Sequence, residues 1–247
     1  MFTSIDPTVY SELTVLKKLD LDFNKIASID STSFQALKFL QRLSLRYNLL
    51  ASFPANAFTS LTKLLELRLE SNQLTDIAPT SFNALTELQL LNLASNRIAS
   101  FDSATFNGLS NLIELKINSN RLTSLDPSLL APMKYLQRLY LDFNQLTTLD
   151  PVTFAGTSRL VELSLRYNSL ATIDAKIFNG LGSLENLNLI NNKLVSLDRN
   201  ALVGLVSLKK VCLFGNPIVS LQSSYLLTLC QTNPNCAVDL SNQTCSI

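Results

Sequence analysis

The stretch LYLDFNQLTTLD, Leu139 to Asp150, is a near copy of LDLDFNKIASID, Leu19 to Asp30, which stands 120 residues earlier in a chain of 247. Working outward from this pair, Asn24 and Asn144 belong to a series of nine asparagines at an unbroken spacing of 24: Asn24, Asn48, Asn72, Asn96, Asn120, Asn144, Asn168, Asn192 and Asn216. Around each runs LxxLxLxxNxL, as in Leu136, Leu139, Leu141, Asn144 and Leu146. Self-similarity at a fixed period of this length predicts a stack of coils, each too small to bury its apolar face alone.

The repeat is identified as a leucine-rich repeat. The predicted class is α/β: a horseshoe solenoid with a parallel β-sheet on its concave side and short turns or 3-10 segments on its convex side. The pair Leu139 and Leu141 points to one face of a short strand, with Tyr140 and Asp142 on the other. Each asparagine, set in the turn after the strand, can satisfy backbone groups of its own and neighbouring coils, which unpaired would cost about 1 to 3 kcal/mol each. Ten positions on, Phe34, Phe58, Phe82, Phe106, Leu130, Phe154, Phe178, Leu202 and Leu226 form a predicted convex spine. Five positions on, Ile29, Phe53, Ile77, Phe101, Leu125, Leu149, Ile173, Leu197 and Leu221 complete the inward ring. The column that follows holds Asp30, Asp102, Asp126, Asp150, Asp174 and Asp198, with Asp6 in the first partial copy, and suits the caps of short turns.

Residues 1–15 match the later half of a coil through Phe2, Ile5, Tyr10 and Leu13, and are expected to be a partial first repeat or a truncated cap. Repeats occupy 16–211. Residues 212–247 are expected to form the last repeat and a cap, because Cys212, Cys230, Cys236 and Cys245 all fall there. Two disulfides, in any of three pairings, are the preferred reading over a zinc site, since the chain has no histidine and no CxxC pair. Asn242 heads the only glycosylation sequon. Disulfides and a sequon together point to secretion or to the extracellular face of the cell surface.

Composition excludes several function classes. With 20 basic and 19 acidic residues the net charge is +1, which gives no electrostatic excess for phosphate backbones, so nucleic acid is not expected as a partner. No apolar run reaches the roughly 20 residues that span a bilayer, and the first residues do not read as a signal peptide. Catalysis has little to work with: there is no histidine, the six glycines form no phosphate cradle, and most aspartates cap turns. Neither an enzyme nor a cofactor or metal site is expected.

The motif, the phenylalanine spine and the cysteine-bearing end resemble the typical 24-residue repeats of extracellular leucine-rich proteins, among them Toll-like receptor ectodomains and variable lymphocyte receptors. That resemblance implies ligand binding on the concave sheet, with a protein or glycan partner in innate immunity or adhesion. Cys212 precedes Asn216-Pro217, which departs from the common vertebrate cap. The positions between the strand leucines vary from coil to coil and are therefore free to carry specificity. The candidate ligand-binding residues are Phe23, Arg46, Tyr47, Arg68, Glu70, Asn92, Lys116, Tyr140, Asp142, Phe143, Arg166 and Tyr167, with an apolar strip of Leu65, Leu90, Ile113, Val161 and Ile190 beside them. Asp-Phe-Asn and Arg-Tyr-Asn recur together at residues 22–24 with 46–48 and at 142–144 with 166–168, which predicts two aromatic, charged patches roughly 24 Å apart, five strand spacings. Self-association as an adhesion or matrix protein, including a homodimer, and an intracellular substrate adaptor are the alternatives.

Overall fold

The computed structural model describes residues 1–218 and 237–239. Among the described residues, ten three-residue strands form one parallel sheet in chain order: β1 (Lys18–Asp20), β2 (Arg42–Ser44), β3 (Glu66–Arg68), β4 (Leu90–Asn92), β5 (Glu114–Lys116), β6 (Arg138–Tyr140), β7 (Glu162–Ser164), β8 (Asn186–Asn188), β9 (Lys210–Cys212) and β10 (Ala237–Asp239). From β1 to β9 every register step is 24 residues, so Leu19, Leu43, Leu67 and Leu91 stand side by side. The parallel pairing of β10 on β9 was not anticipated from the sequence, because the tail loses the 24-residue period. Cys230, Cys236, Cys245, Asn242, Leu221 and Leu226 lie outside the described residues.

The asparagine ladder has the predicted geometry. Asn144 donates through Nδ2 to the carbonyls of Ile117, Leu141 and Asp142 at 3.0, 3.0 and 3.3 Å, and its Oδ1 accepts the amide of Leu122 at 3.0 Å. One side chain thus closes its own turn and ties it to the preceding coil. The same set is made by Asn48, Asn72, Asn96, Asn120, Asn168 and Asn192. At the first coil, Asn24 accepts the amide of Phe2 and donates to Leu21 and Asp22. Ser4 bridges Ser28 in parallel and Ile5 is buried, so the leading residues do pack as half a coil, although Phe2 and Leu13 are exposed.

On the convex side the return is a run of turns, with 3-10 helices at Pro7–Tyr10 and Arg199–Leu202. Asp6, Asp102, Asp126, Asp150, Asp174 and Asp198 each accept the amide two residues on, as expected of caps. Asp30 departs from this: its own amide donates to Ser33. The spine stacks Phe34, Phe58, Phe82 and Phe106 at centroid spacings of 6.0, 6.4 and 6.3 Å. Adjacent strands in a sheet lie only about 4.8 Å apart. The wider spacing of the spine bends the stack, with the sheet on the inner, concave side.

Candidate ligand-binding face

The residue before each asparagine lies in the left-handed region: Phe23, Tyr47, Ser71, Ser95, Ser119, Phe143, Tyr167 and Asn191 all have φ between 51° and 56°. The ninth coil places Gly215 there, with φ of 73°. This conformation costs an L-residue about 1 to 2 kcal/mol, and glycine or asparagine least. The backbone needs it to swing the asparagine inward after the strand, and the excursion turns the preceding side chain out to solvent. Phe23, Tyr47, Phe143 and Tyr167 are accordingly between 43% and 59% exposed.

These four rings form two stacked pairs. Phe23 lies on Tyr47 at 4.5 Å with an 8° interplanar angle, and Phe143 on Tyr167 at 4.4 Å with 9°. The guanidinium carbons of Arg46 and Arg166 sit 5.5 Å from the centroids of Phe23 and Phe143 respectively. Beneath each pair an aspartate acts as a clamp. Asp22 accepts from the Ser44 hydroxyl, the Arg46 amide at 3.0 Å and the Arg46 Nε. Asp142 accepts from the Ser164 hydroxyl and the Arg166 amide at 3.0 Å. The copies differ at the arginine: Arg166 Nε stands 3.7 Å from Asp142 and makes no hydrogen bond among the described residues. Burial pushes the Asp142 carboxyl above the usual aspartate range, against the opposing bonds of Ser164 and Arg166.

Between the pairs lies a band of shared carboxylates. Glu66 receives Arg42 at 2.6 Å and also Arg68, while Glu114 receives Lys116 at 2.8 Å and Arg138 at 2.6 Å. Although burial opposes it, the bonds from Lys116 and Arg138 hold the Glu114 carboxyl below the usual glutamate range. Lys116 also lies 5.2 Å from the Tyr140 ring. Burial first, and Glu162 second, raise the Tyr140 hydroxyl well above an ordinary tyrosine. Leu65, Leu90 and Ile113 line a groove of about 340 Å³ along the rim, edged by Arg42, Glu66, Glu114 and Arg138.

Several sequence expectations change under this geometry. Asp142 is buried, so it supports the patch from below and is not an open contact. Glu70 is half-buried, its Oε2 makes no hydrogen bond among the described residues, and burial raises its carboxyl. Ile190 is buried against Cys212 and does not continue the apolar strip, whereas Val161 is half-buried at the rim. Asn92 uses its Oδ1 to accept the Ala94 amide. The ion-paired Arg42, Glu66, Glu114 and Arg138 were not singled out, and neither were Ser44 and Ser164. The two serines carried a signal, since they too are related by the 120-residue offset.

Comparison with known proteins supplies a context for this face. Four overlapping matches to the family described as leucine rich repeat cover residues 14–74, 62–122, 110–170 and 158–218. No curated protein matches the chain. Among solved structures, the chain is similar to one in the crystal structure of a TLR13–ssRNA13 complex, with 32% identity and a TM-score of 0.82 over 86% of this chain and 31% of that one. It is also similar to one in the Toll–Spatzle complex, described as a molecular hub in Drosophila development and innate immunity, with 25% identity and a TM-score of 0.85 over 96% of this chain and 33% of that one. This chain therefore spans about a third of each relative.

Proposed function

The chain belongs to the leucine-rich repeat family, and from that premise we propose that it is an extracellular ligand-recognition module of innate immunity. Its partner in this reading is a protein, held on the concave sheet and the adjoining left-handed column. The observation that carries the reading is the pair of exposed aromatic stacks. The fold accepts serine, asparagine or glycine in that column, so phenylalanine and tyrosine are not needed there to build the coil. Aromatic side chains with arginine beside them are the composition of binding hot spots. A protein is favoured over nucleic acid because Asp22, Glu66 and Glu114 already engage the arginines of the sheet, which leaves no broad cationic field. The TLR13 and Toll structures named above are ligand complexes, one with RNA and one with a protein, which supports recognition as the task without fixing the ligand. In this reading Cys212 pairs in a disulfide with one of the other three terminal cysteines, which places the chain in an oxidising, extracellular setting where Asn242 can be glycosylated.

The test is a screen of the tagged protein against extracellular proteins, glycans and single-stranded RNA, beside the variant Phe143→Asn with Tyr167→Asn. Asparagine tolerates the left-handed backbone, which offsets the lost stacking of about 0.5 to 1.5 kcal/mol, so stability should hold within about 1 kcal/mol. A protein ligand lost by roughly 30-fold or more in the variant supports the reading. Binding that survives both substitutions, or a hit on RNA or glycan alone, defeats it. A mass that rises with concentration would assign the face to self-association instead.

A further inference from the structure

We infer that the first patch carries an acceptor site for a carboxylate of the protein ligand, in a hollow whose full set of arginines the second patch does not repeat. The inference rests on the reading of the concave face as the ligand surface and narrows the partner to an acidic segment.

The hollow, of about 290 Å³, opens on β1 to β3 and is lined by Lys18, Asp20, Arg42, Arg46, Glu66 and Arg68 among others. Three guanidinium groups converge on it. Their side chains are 34–48% exposed, whereas the carboxylates that hold them, Asp22 and Glu66, are 7% and 15% exposed. The acids therefore form the floor and the cations form the walls. Arg42 and Arg68 share the single carboxylate of Glu66, and over the lining as a whole Lys18, Arg42, Arg46 and Arg68 exceed Asp20, Asp22 and Glu66 by one positive charge. Each of the three arginines is gripped through its Nε. Beyond that Nε each guanidinium carries two further nitrogens with four N–H donors. Fixed, planar forks of this kind bind a carboxylate bidentately, and their positions are already held, which lowers the ordering cost of binding.

The internal duplication supplies the contrast. At the 120-residue offset Arg42 corresponds to Glu162, Glu66 to Asn186 and Arg68 to Asn188, while Asp22, Phe23, Ser44, Arg46 and Tyr47 recur unchanged. The stacked rings and their clamp are common to both patches, but the convergent guanidinium groups occur once. The ligand is thereby oriented: its acidic segment lies toward β1 and its apolar contacts extend toward β7.

The probe is an acetylated, amidated hexaglutamate labelled with rhodamine, titrated by fluorescence anisotropy at 50 and 300 mM salt, with the hexaglutamine peptide as control. Hexaglutamate should bind saturably and more weakly at the higher salt, and hexaglutamine should not bind. Arg42→Gln with Arg68→Gln should lose at least tenfold in affinity. Arg42→Lys with Arg68→Lys keeps Glu66 paired and the charge unchanged but removes the forks, and should lose several-fold. Arg138→Gln, which leaves the hollow intact, should bind as the unaltered protein does. The inference is overturned if hexaglutamate binds no better than hexaglutamine, or if the glutamine variant binds it equally well. It is also overturned if a heparin tetrasaccharide is bound and hexaglutamate is not, which would assign the hollow to a sulfated glycan. The Phe143→Asn, Tyr167→Asn variant lies three coils or more beyond the hollow and should bind hexaglutamate normally, so failure of the concave-face reading registers separately.

Discussion

At φ near +53°, a phenylalanine or tyrosine loses energy that a serine loses too and a glycine does not, yet four of the eight described non-glycine residues in this column are aromatic. Their neighbour, the asparagine, explains why the backbone goes there at all, and it gives the sharpest stability test. Asn144→Ala removes one acceptor and three donor contacts from a buried site, orphaning the Leu122 amide and leaving the Ile117 and Leu141 carbonyls with Asn120 and Asn168 as their remaining ladder donors. The orphaned amide costs about 1 to 3 kcal/mol, so urea denaturation should show a loss of at least that size. An unchanged midpoint would refute the ladder. Asp142 and Glu114 give a pH test of opposite signs. The folded Asp142 carboxyl is raised, so its contribution favours the folded chain at low pH and is lost as pH rises through that raised value. Glu114 is lowered, so its contribution is present above the ordinary glutamate value and lost as pH falls through its folded value. Denaturation at pH 4 and 7 should therefore show Asp142→Asn gaining stability relative to the parent as pH rises, and Glu114→Gln losing it. Parallel shifts for the two variants would contradict the assignment. The nine asparagines were legible from their period alone. The left-handed column was not, because φ there is imposed by closure of the turn and leaves no uniform residue type behind.

The coil is built from two elements with different tolerances. The strand half is short because only two apolar side chains, such as Leu139 and Leu141, must be delivered inward before the chain turns. The convex half is irregular in hydrogen bonding but regular in packing, since the spine residue is fully buried in coil after coil. Gly108 shows how close the returns approach: a Cβ there would come within 2.5 Å of the Asn83 backbone. The spine allows a graded prediction. Leu130 occupies a phenylalanine position without a break in the stack, so Phe106→Leu should cost less than about 1.5 kcal/mol, whereas Phe106→Ala should cost about 3 to 5. Equal melting temperatures for the two variants would show that the stacked rings are not a close-packed core. Periodicity revealed both elements, and the aspartate column revealed the caps, because each depends on a residue type at a fixed offset. The paired carboxylates Glu66 and Glu114 escaped notice because they stand one residue before the strand leucine, where apolar Leu90 occurs as well and charge has no period.

Over the whole molecule each coil packs only on its neighbours, so the number of coils sets the distance between the two aromatic patches without setting the fold. Removing residues 97–120 deletes one full period and joins Asn96 to Arg121, restoring the Asn-Arg pair found at both original junctions. The shortened chain should keep a single continuous sheet and melt cooperatively, because every ladder bond either stays within one coil or crosses a single coil boundary and is regenerated across the junction. Circular dichroism and a thermal melt check that outcome. Binding then separates two modes of recognition. The deletion brings Phe143 and Tyr167 one strand spacing, about 4.8 Å, nearer to Phe23 and Tyr47. A ligand that engages both patches at once would lose the advantage of linked contacts, worth 100-fold or more when the span is matched, whereas a ligand held by one patch would bind as before. A chain that fails to fold after the deletion would mean that coils 4 and 5 are not interchangeable units, and that the duplication preserved more than the recurring Asp-Phe-Asn and Arg-Tyr-Asn residues.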